Sequence, residues 1–335
     1  MTKILVTGAT GFVGGALVER LLANGENDLR ISVRAGSPRA RLEAAVARHP
    51  GARLEWTPGN LLVPAEVARA VDGVDTILHL AASLRGAPAD MFLHTVVGSK
   101  NLLEAVGGRR PMRIVLVSSF SVYGVAGVGR GAVVDELTPL EPHPERRDAY
   151  AQVKLRQEQL FRDRQARHGF DLVVLRPGVI YGPGGSPFSS RVGLNLAGTF
   201  LFLGGKNLLP LSYVDNCADA IVLAARAPAA AGQVYNVHDD DLPTCARYLR
   251  LYREAVAPVR SVRVPYPLLL LGSALVERYH RYSQGQLPAI FTPYKARSTW
   301  GGNRFDNARL KALGWRPEVS TEEGLRRTFA AMRGG

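Results

Sequence analysis

From the first residues, short β-branched runs alternate with amphipathic segments: "KILVTG", "FVGGALVERLLANG", "LRISVR", "RARLEAAVARHP", "RLEWTPGN", "PAEVARAVDG", "DTILHLAA", "VVGSKNLLEAV" and "RIVLVSS". Strands alternating with helical patterns predict an α/β fold built on a doubly wound parallel sheet. Residues 123–148, "YGVAGVGRGAVVDELTPLEPHPERRD", read as a Gly- and Pro-rich loop that ends where a helix opens at Ala149 and Tyr150. Loops of that length inside a compact domain tend to be functional. Beyond Pro177 the pattern loosens into "GPGGSPFSSRVGLNLAGTFLFLGGKN", then tightens again at "LSYVDNCADAIVLAARA" and "GQVYNVHD". The prediction is a main domain over 1–178 that regains 212–238, with a smaller interleaved lobe from 179–211 and 239–330.

The first turn of this pattern carries its first chemistry. "TGATGFVGG" sets Gly8, Gly11 and Gly14 three apart, directly after a strand and before a helix. Gly8 permits a sharp turn, Gly11 a close backbone approach and Gly14 close packing of helix on sheet, while the helix amino terminus offers free N–H groups. A pyrophosphate suits that cradle of Gly8, Thr10, Gly11, Phe12, Val13 and Gly14, so the main domain reads as a Rossmann-type dinucleotide-binding domain. An acidic residue about 20 positions on would hold a ribose 2′-hydroxyl; the second strand here ends in Arg34, with Arg39 and Arg41 close behind. Arginine suits a 2′-phosphate, so NADP(H) is the expected cofactor and NAD(H) the alternative.

Composition narrows the partners. A formal charge of +13 in 335 residues invites a nucleic-acid reading, but the arginines are scattered, with no basic block interleaved with aromatics. They read as a solvated surface with some use for small anions, and no nucleic-acid partner is expected. Cys217 and Cys245 are too few for a disulfide framework or a zinc site and read as buried thiols; no metal is expected. The amino terminus enters a strand without a signal-peptide pattern, which predicts a cytoplasmic protein. The segment 264–282, "VPYPLLLLGSALVERYHRY", is too short in apolar residues to span a bilayer. It reads as a helix lining a greasy pocket, with peripheral membrane contact as the alternative.

"DAYAQVKLRQEQLF" places Tyr150 and Lys154 four apart, on one helix face. A nearby ammonium favours the phenolate, so Tyr150 is expected to have a lowered pKa and to exchange a proton with a substrate hydroxyl or carbonyl. "RIVLVSSFSVYG" brings Ser118 and Ser119 to the end of a strand, at the sheet edge where ligands bind. With these residues the chain resembles the extended short-chain dehydrogenase/reductase family over nearly its whole length. The matching pieces are TGATGFVG at 7–14, "GNL" at 59–61, "HLAA" at 79–82, "SSFSVYG" at 118–124, the Tyr150/Lys154 pair, "LRPGVIYGPG" at 175–184, "YVDNCADA" at 213–220 and "ALGWRPEVSTEEGL" at 312–325.

The resemblance implies that Tyr150 is the general acid/base, that Ser119 hydrogen-bonds the reacting oxygen, and that Lys154 holds the nicotinamide ribose and tunes the tyrosine. It implies further cofactor contacts from Asn60 and Leu61 at the adenine, from Leu80, Ala81 and Ala82 along the middle, and from Pro177 and Val179 at the nicotinamide. A homodimer is implied by the resemblance alone. Three positions depart from the family pattern: Asn60 stands for Asp, Val153 for Ser, and Thr95 for Asn.

Within the family, "SYVDN", "GQVYNVHDDDLP" and "VPYPLLLLGSALVE" look most like the 3β-hydroxysteroid dehydrogenase branch, and "SVR" on the second strand like the dihydroflavonol reductases. Both resemblances imply a small, bulky, hydrophobic secondary alcohol or ketone as substrate, including β-keto acids. The alternative on this scaffold is a nucleotide-sugar 4-epimerase, whose usual Arg before "YVD" is replaced here by Leu211 and Ser212. A 4,6-dehydratase resembles the chain poorly, because its Asp-Glu pair is here Phe120 and Ser121. A binding protein without catalysis has no need of Tyr150, Lys154 and Ser119 together.

Overall fold

The computed structural model describes residues 2–26, 28–107, 112–196, 198–283 and 291–334. The first half runs β1 (Ile4–Thr7), α1 (Phe12–Ala23), β2 (Asp28–Val33), α2 (Ala40–Ala47), β3 (Arg53–Pro58), α3 (Pro64–Val71), β4 (Thr76–His79), α4 (Pro88–Phe92), a π-helical turn at Leu93–Val97, α5 (Gly98–Val106) and β5 (Arg113–Val117). There follow β6 (Val133–Val134), the long α6 (Ala149–His168), β7 (Asp171–Pro177), β8 (Val179–Tyr181), β9 (Gly193–Leu196), β10 (Thr199–Phe202), β11 (Leu211–Tyr213), α7 (Val214–Arg226) and β12 (Val234–Val237). The chain closes with α8 (Cys245–Ala255), β13 (Ser261–Arg263), α9 (Tyr266–Tyr282), α10 (Pro293–Trp300), β14 (Arg304–Phe305), α11 (Ala308–Ala312) and α12 (Thr321–Arg333).

Seven strands form one parallel sheet in the order β12-β7-β5-β4-β1-β2-β3. β1 is buried along its whole length because both neighbours and both faces are covered, which its unbroken Ile-Leu-Val run anticipates. Successive side chains alternate between faces. Ile4 and Val6 join the core beneath α1 and α7, whereas Leu5 joins the opposite core with Val67, Leu102 and Phe161. The strand order reverses at β1, whose neighbours are β2 on one side and β4 on the other. Connections leaving the carboxyl ends of β1 and β4 diverge there and open a crevice, the usual ligand position in such sheets.

β12 pairs with β7, so the chain re-enters the main sheet after β8–β11. The smaller lobe carries the antiparallel pair β9/β10, extended in parallel by β13. Its own core gathers Leu203, Leu269, Ala296 and Trp300. α9 buries only Leu269 and Ser273 deeply, and leaves Leu268, Leu271, Leu275, Tyr279 and Tyr282 exposed. Among the described residues no helix is long and apolar enough to cross a membrane.

The expected loop 123–148 is irregular but firmly packed. Glu141 and Arg147, both buried, pair at 2.7 Å, and Arg147 also donates to the Tyr123 carbonyl at 3.2 Å. The loop thereby delivers Asp148 to the start of α6, where its carboxylate accepts from Ala151 N at 3.0 Å as the helix cap.

Candidate active site

The glycine cradle lies at the carboxyl end of β1. Gly8 has φ +74°, and a Cβ there would meet Ala81 N at 2.8 Å; at Gly14 it would meet the Gly8 carbonyl at 2.2 Å. Only glycine fits either position, which holds the backbone against α1 and against the strand-end segment Leu80–Ala82. Gly11 is the N-cap of α1, which has no side-chain cap and no acidic residue in its first turn. The amides of Phe12 and Val13 therefore face outward as donors at the positive end of the helix. This bare, positively polarised turn fits the diphosphate of a dinucleotide. Gly182 and Gly185 close over the same place: a Cβ on either would sit within 3.4 Å of the Phe12 ring. The reading of the sequence did not connect this second glycine loop to the first, because their contact is purely tertiary.

At the far end of the crevice Arg34 follows β2, is exposed, and forms no ion pair among the described residues. Its two expected helpers are otherwise engaged: Arg39 lies over the Trp56 ring at 5.1 Å and Arg41 pairs with Glu19 at 3.0 Å. Asn60 accepts from Leu62 N at 3.1 Å, and Leu61 is anchored by Asn101, which donates to its carbonyl at 2.8 Å.

Ser118 and Ser119 directly follow β5. Ser119 Oγ accepts from Ser121 N at 3.1 Å. Tyr150 packs against Met91, Val96 and Val153. Its phenol is pushed above the ordinary tyrosine value, chiefly by burial, while a hydrogen bond with Ser119 draws it down and the Asp148 charge pushes it up. The expected acidification by Lys154 does not occur here. The ammonium is occupied elsewhere, donating to Val117 O at 2.7 Å and to Gln157 Oε1 at 2.6 Å, and burial lowers its own pKa to about 7.

Those bonds continue into a buried relay that the sequence did not reveal. Gln157 Nε2 donates to Ser99 Oγ at 2.8 Å, Ser99 lies 2.9 Å from His79 Nε2, and His79 Nδ1 lies 2.8 Å from Thr7 Oγ1. Because Ser99 spends its own proton on Thr95 O at 2.6 Å, the network assigns the imidazole proton to Nε2. Burial, then the Lys154 charge, lowers the His79 pKa to about 3, so it is neutral. The relay ties the α6 lysine to the residue before the glycine cradle. Thr95, in the π-helical turn, also accepts from Ser83 N at 3.0 Å and so braces the segment after β4. The only signal for His79 was its place in "HLAA"; Gln157 stands one turn beyond Lys154 and looks like an ordinary helical residue.

One turn further along α6, Glu158 is fully buried and takes Ser118 Oγ at 2.7 Å, Arg162 at 2.9 Å and Arg176 Nε at 3.1 Å. Burial pushes this carboxyl up, but the Arg176 and Ser118 hydrogen bonds outweigh it and leave the pKa lowered. The group fixes Ser118 beside Ser119 and Arg176 beside Pro177. Val179 opens β8, which pairs with β11 through Leu211.

Facing this machinery, the Phe120 and Phe305 rings stack at 5.3 Å and 16°. His238 approaches both edge-on, donating from Nδ1 to Asp239 O at 2.7 Å. Its Nε2, like Ser121 Oγ, is buried without a hydrogen-bond partner among the described residues. Neither His238 nor Arg191, which lies over Phe305, was singled out from the sequence. Cys217 and Cys245 are buried thiols, and no group of residues that could hold a metal occurs among the described residues. Two surface hollows, at Thr2–Arg226 and at Ala255–Arg333, contain none of these residues.

Fold and site together define an enzyme of the dinucleotide-dependent α/β class. The model of the NAD dependent epimerase/dehydratase family matches residues 4–237, and the chain belongs to that family. It is 29% identical to a 2-alkyl-3-oxoalkanoate reductase of Shewanella oneidensis, over 99% of this chain and 87% of that one. It is 26% identical to a decarboxylating sterol-4-alpha-carboxylate 3-dehydrogenase of Candida albicans, over 99% and 98% of the two chains. Among solved structures, a UDP-glucose 4-epimerase of Thermus thermophilus in complex with NAD superposes with a TM-score of 0.73 at 23% identity, covering all of both chains.

Proposed function

We propose that this enzyme is an NADP(H)-dependent dehydrogenase/reductase that interconverts a ketone and a secondary alcohol on a bulky hydrophobic substrate. One observation carries the reading: Ser119 and the Tyr150–Lys154 face of α6 come together after β5, beside a glycine cradle followed, just past the end of β2, by Arg34. The names of the two curated relatives point to the substrate class. In a 2-alkyl-3-oxoalkanoate, and in a sterol-4-carboxylate oxidised at C3, the reacting carbon is next to the carbon that bears a carboxylate.

When bound, the nicotinamide supplies or accepts a hydride. In reduction Tyr150, a phenol that burial keeps protonated all the more firmly, gives its proton to the substrate oxygen. Ser119 uses a lone pair on Ser121 N and keeps its hydrogen to donate to the same oxygen as negative charge develops. In its ammonium form Lys154 has two of its three donors committed, and the third would serve a ribose hydroxyl.

NADPH consumption across long-chain 3-oxo acids, sterol ketones, flavonoid ketones and UDP-sugars tests the reading. Turnover of a hydrophobic ketone is expected. Conversion of UDP-sugars alone, with no net NADPH consumed, would replace it with the 4-epimerase.

A further inference from the structure

We propose that Arg191 is the anchor for a carboxylate on the substrate, so that the enzyme takes β-oxo and β-hydroxy acids in preference to neutral ketones and alcohols. The inference rests on the oxidoreductase reading above and names its substrate class. Arg191 immediately precedes the strand region of the small lobe, and its main chain is clamped. Ser190 O accepts from Trp300 Nε1 at 3.1 Å, Arg191 N donates to Ser189 Oγ at 3.2 Å, and Arg191 O takes the Cys245 thiol at 3.5 Å. From that fixed base the guanidinium reaches over Phe305, with Cζ 5.7 Å from the ring centre. Phe305 stacks on Phe120, the residue after Ser119. Arg147 and Asp148, just ahead of Tyr150, are near enough to act on it electrostatically. Arg191 thus bridges the small lobe and the groups that handle the reacting oxygen.

What sets it apart is the absence of a counter-charge. The buried arginines each hold a carboxylate: Arg30 with Glu55 at 3.0 Å, Arg147 with Glu141 at 2.7 Å, and Arg176 with Glu158, whereas Arg191 is half-buried. Arg191 forms no ion pair and no side-chain hydrogen bond among the described residues, only the ring contact. Asp148 does not fill the gap, since its carboxylate caps α6. Burial, followed by repulsion from Arg147, lowers the Arg191 pKa to about 10, which still leaves it charged at neutral pH. A guanidinium partly withdrawn from water without a partner costs the free protein some stability, and a ligand anion reduces that cost. One planar cation above an apolar ring pair matches one carboxylate joined to a hydrophobic chain.

The test uses a long-chain 3-hydroxy acid and its methyl ester, which differ only in the anion. Each is titrated into the enzyme–NADPH complex, where no hydride transfer follows, and each is oxidised with NADP+. Arg191→Met should weaken binding of the acid about 10- to 100-fold, the worth of a charge-assisted hydrogen bond, and leave the ester within about 2-fold. Arg191→Lys should recover part of the loss. The ligand-free Arg191→Met protein should melt no lower than wild type, because an unpaired charge has been removed; a purely structural arginine would make it melt lower. Equal effects on acid and ester, or none on either, would overturn the proposal while oxidation of the ester leaves the oxidoreductase reading standing. Failure of wild type to bind or oxidise either compound would remove that reading and the proposal with it.

Discussion

Arg34 is the residue on which the choice of cofactor turns. It follows β2 without a carboxylate partner among the described residues, whereas Arg39 and Arg41 are held by Trp56 and Glu19. On the proposed reading a 2′-phosphate would therefore be met by one guanidinium, not three. Arg34→Ala should weaken NADPH about 10- to 100-fold in a fluorescence titration and leave NADH nearly unchanged; an unaltered preference would refute the assignment. The same scale shows how far a sequence motif carries. The spacing of Tyr150 and Lys154 was legible because a helix puts residues four apart on one face. Their electrostatics were not, because they depend on which acceptors surround the ammonium. Val117 O comes from the end of β5 and Gln157 from the next turn of α6, and together they draw Lys154 away from the phenol.

Among the elements, β4 and α6 are joined through the buried His79–Ser99–Gln157–Lys154 relay. His79 has a pKa of about 3 in the folded protein against an ordinary 6.5, so between these values the unfolded chain binds the extra proton. Stability is accordingly complete above the upper value and is lost as pH falls through the window. His79→Gln removes the titration and retains an amide for Thr7 and Ser99. Between about pH 7.5 and about pH 5.5, wild type should lose about 1 kcal/mol more than the variant in urea unfolding. Identical pH dependence of the two proteins would contradict a neutral buried imidazole. The alternation of strands and helices that builds the main sheet was readable from apolar periodicity. The π-helical turn at Leu93–Val97 was not, because its wide turn leaves the local pattern helical. Nor were β9 and β10, whose glycine-rich sequence looked like connection and becomes strand only through pairing with each other and with β13.

At the scale of the molecule, the lobes are stitched by polar contacts across long sequence separations. Asn216 donates to Asp239 Oδ1 and to Val319 O, both at 2.8 Å, and Arg20 reaches from α1 to Asp219 at 2.7 Å and Glu318 at 2.9 Å. Part of the arginine excess is thus spent on tying elements together. His238 and Phe305 likewise meet Phe120, and Arg191 meets Phe305, only through tertiary contacts, which explains why none of them stood out along the chain. The central claim is that hydride moves between nicotinamide and a substrate carbonyl, with Tyr150 supplying the proton. It is tested most directly by following deuterium from NADPH labelled at the nicotinamide C4 into a long-chain 3-oxo acid. Wild type should place one deuterium on the carbon bearing the new hydroxyl, and Tyr150→Phe should place none while still binding NADPH. Label that stays on the cofactor with every ketone offered, or transfer by Tyr150→Phe at the wild-type rate, would contradict the account.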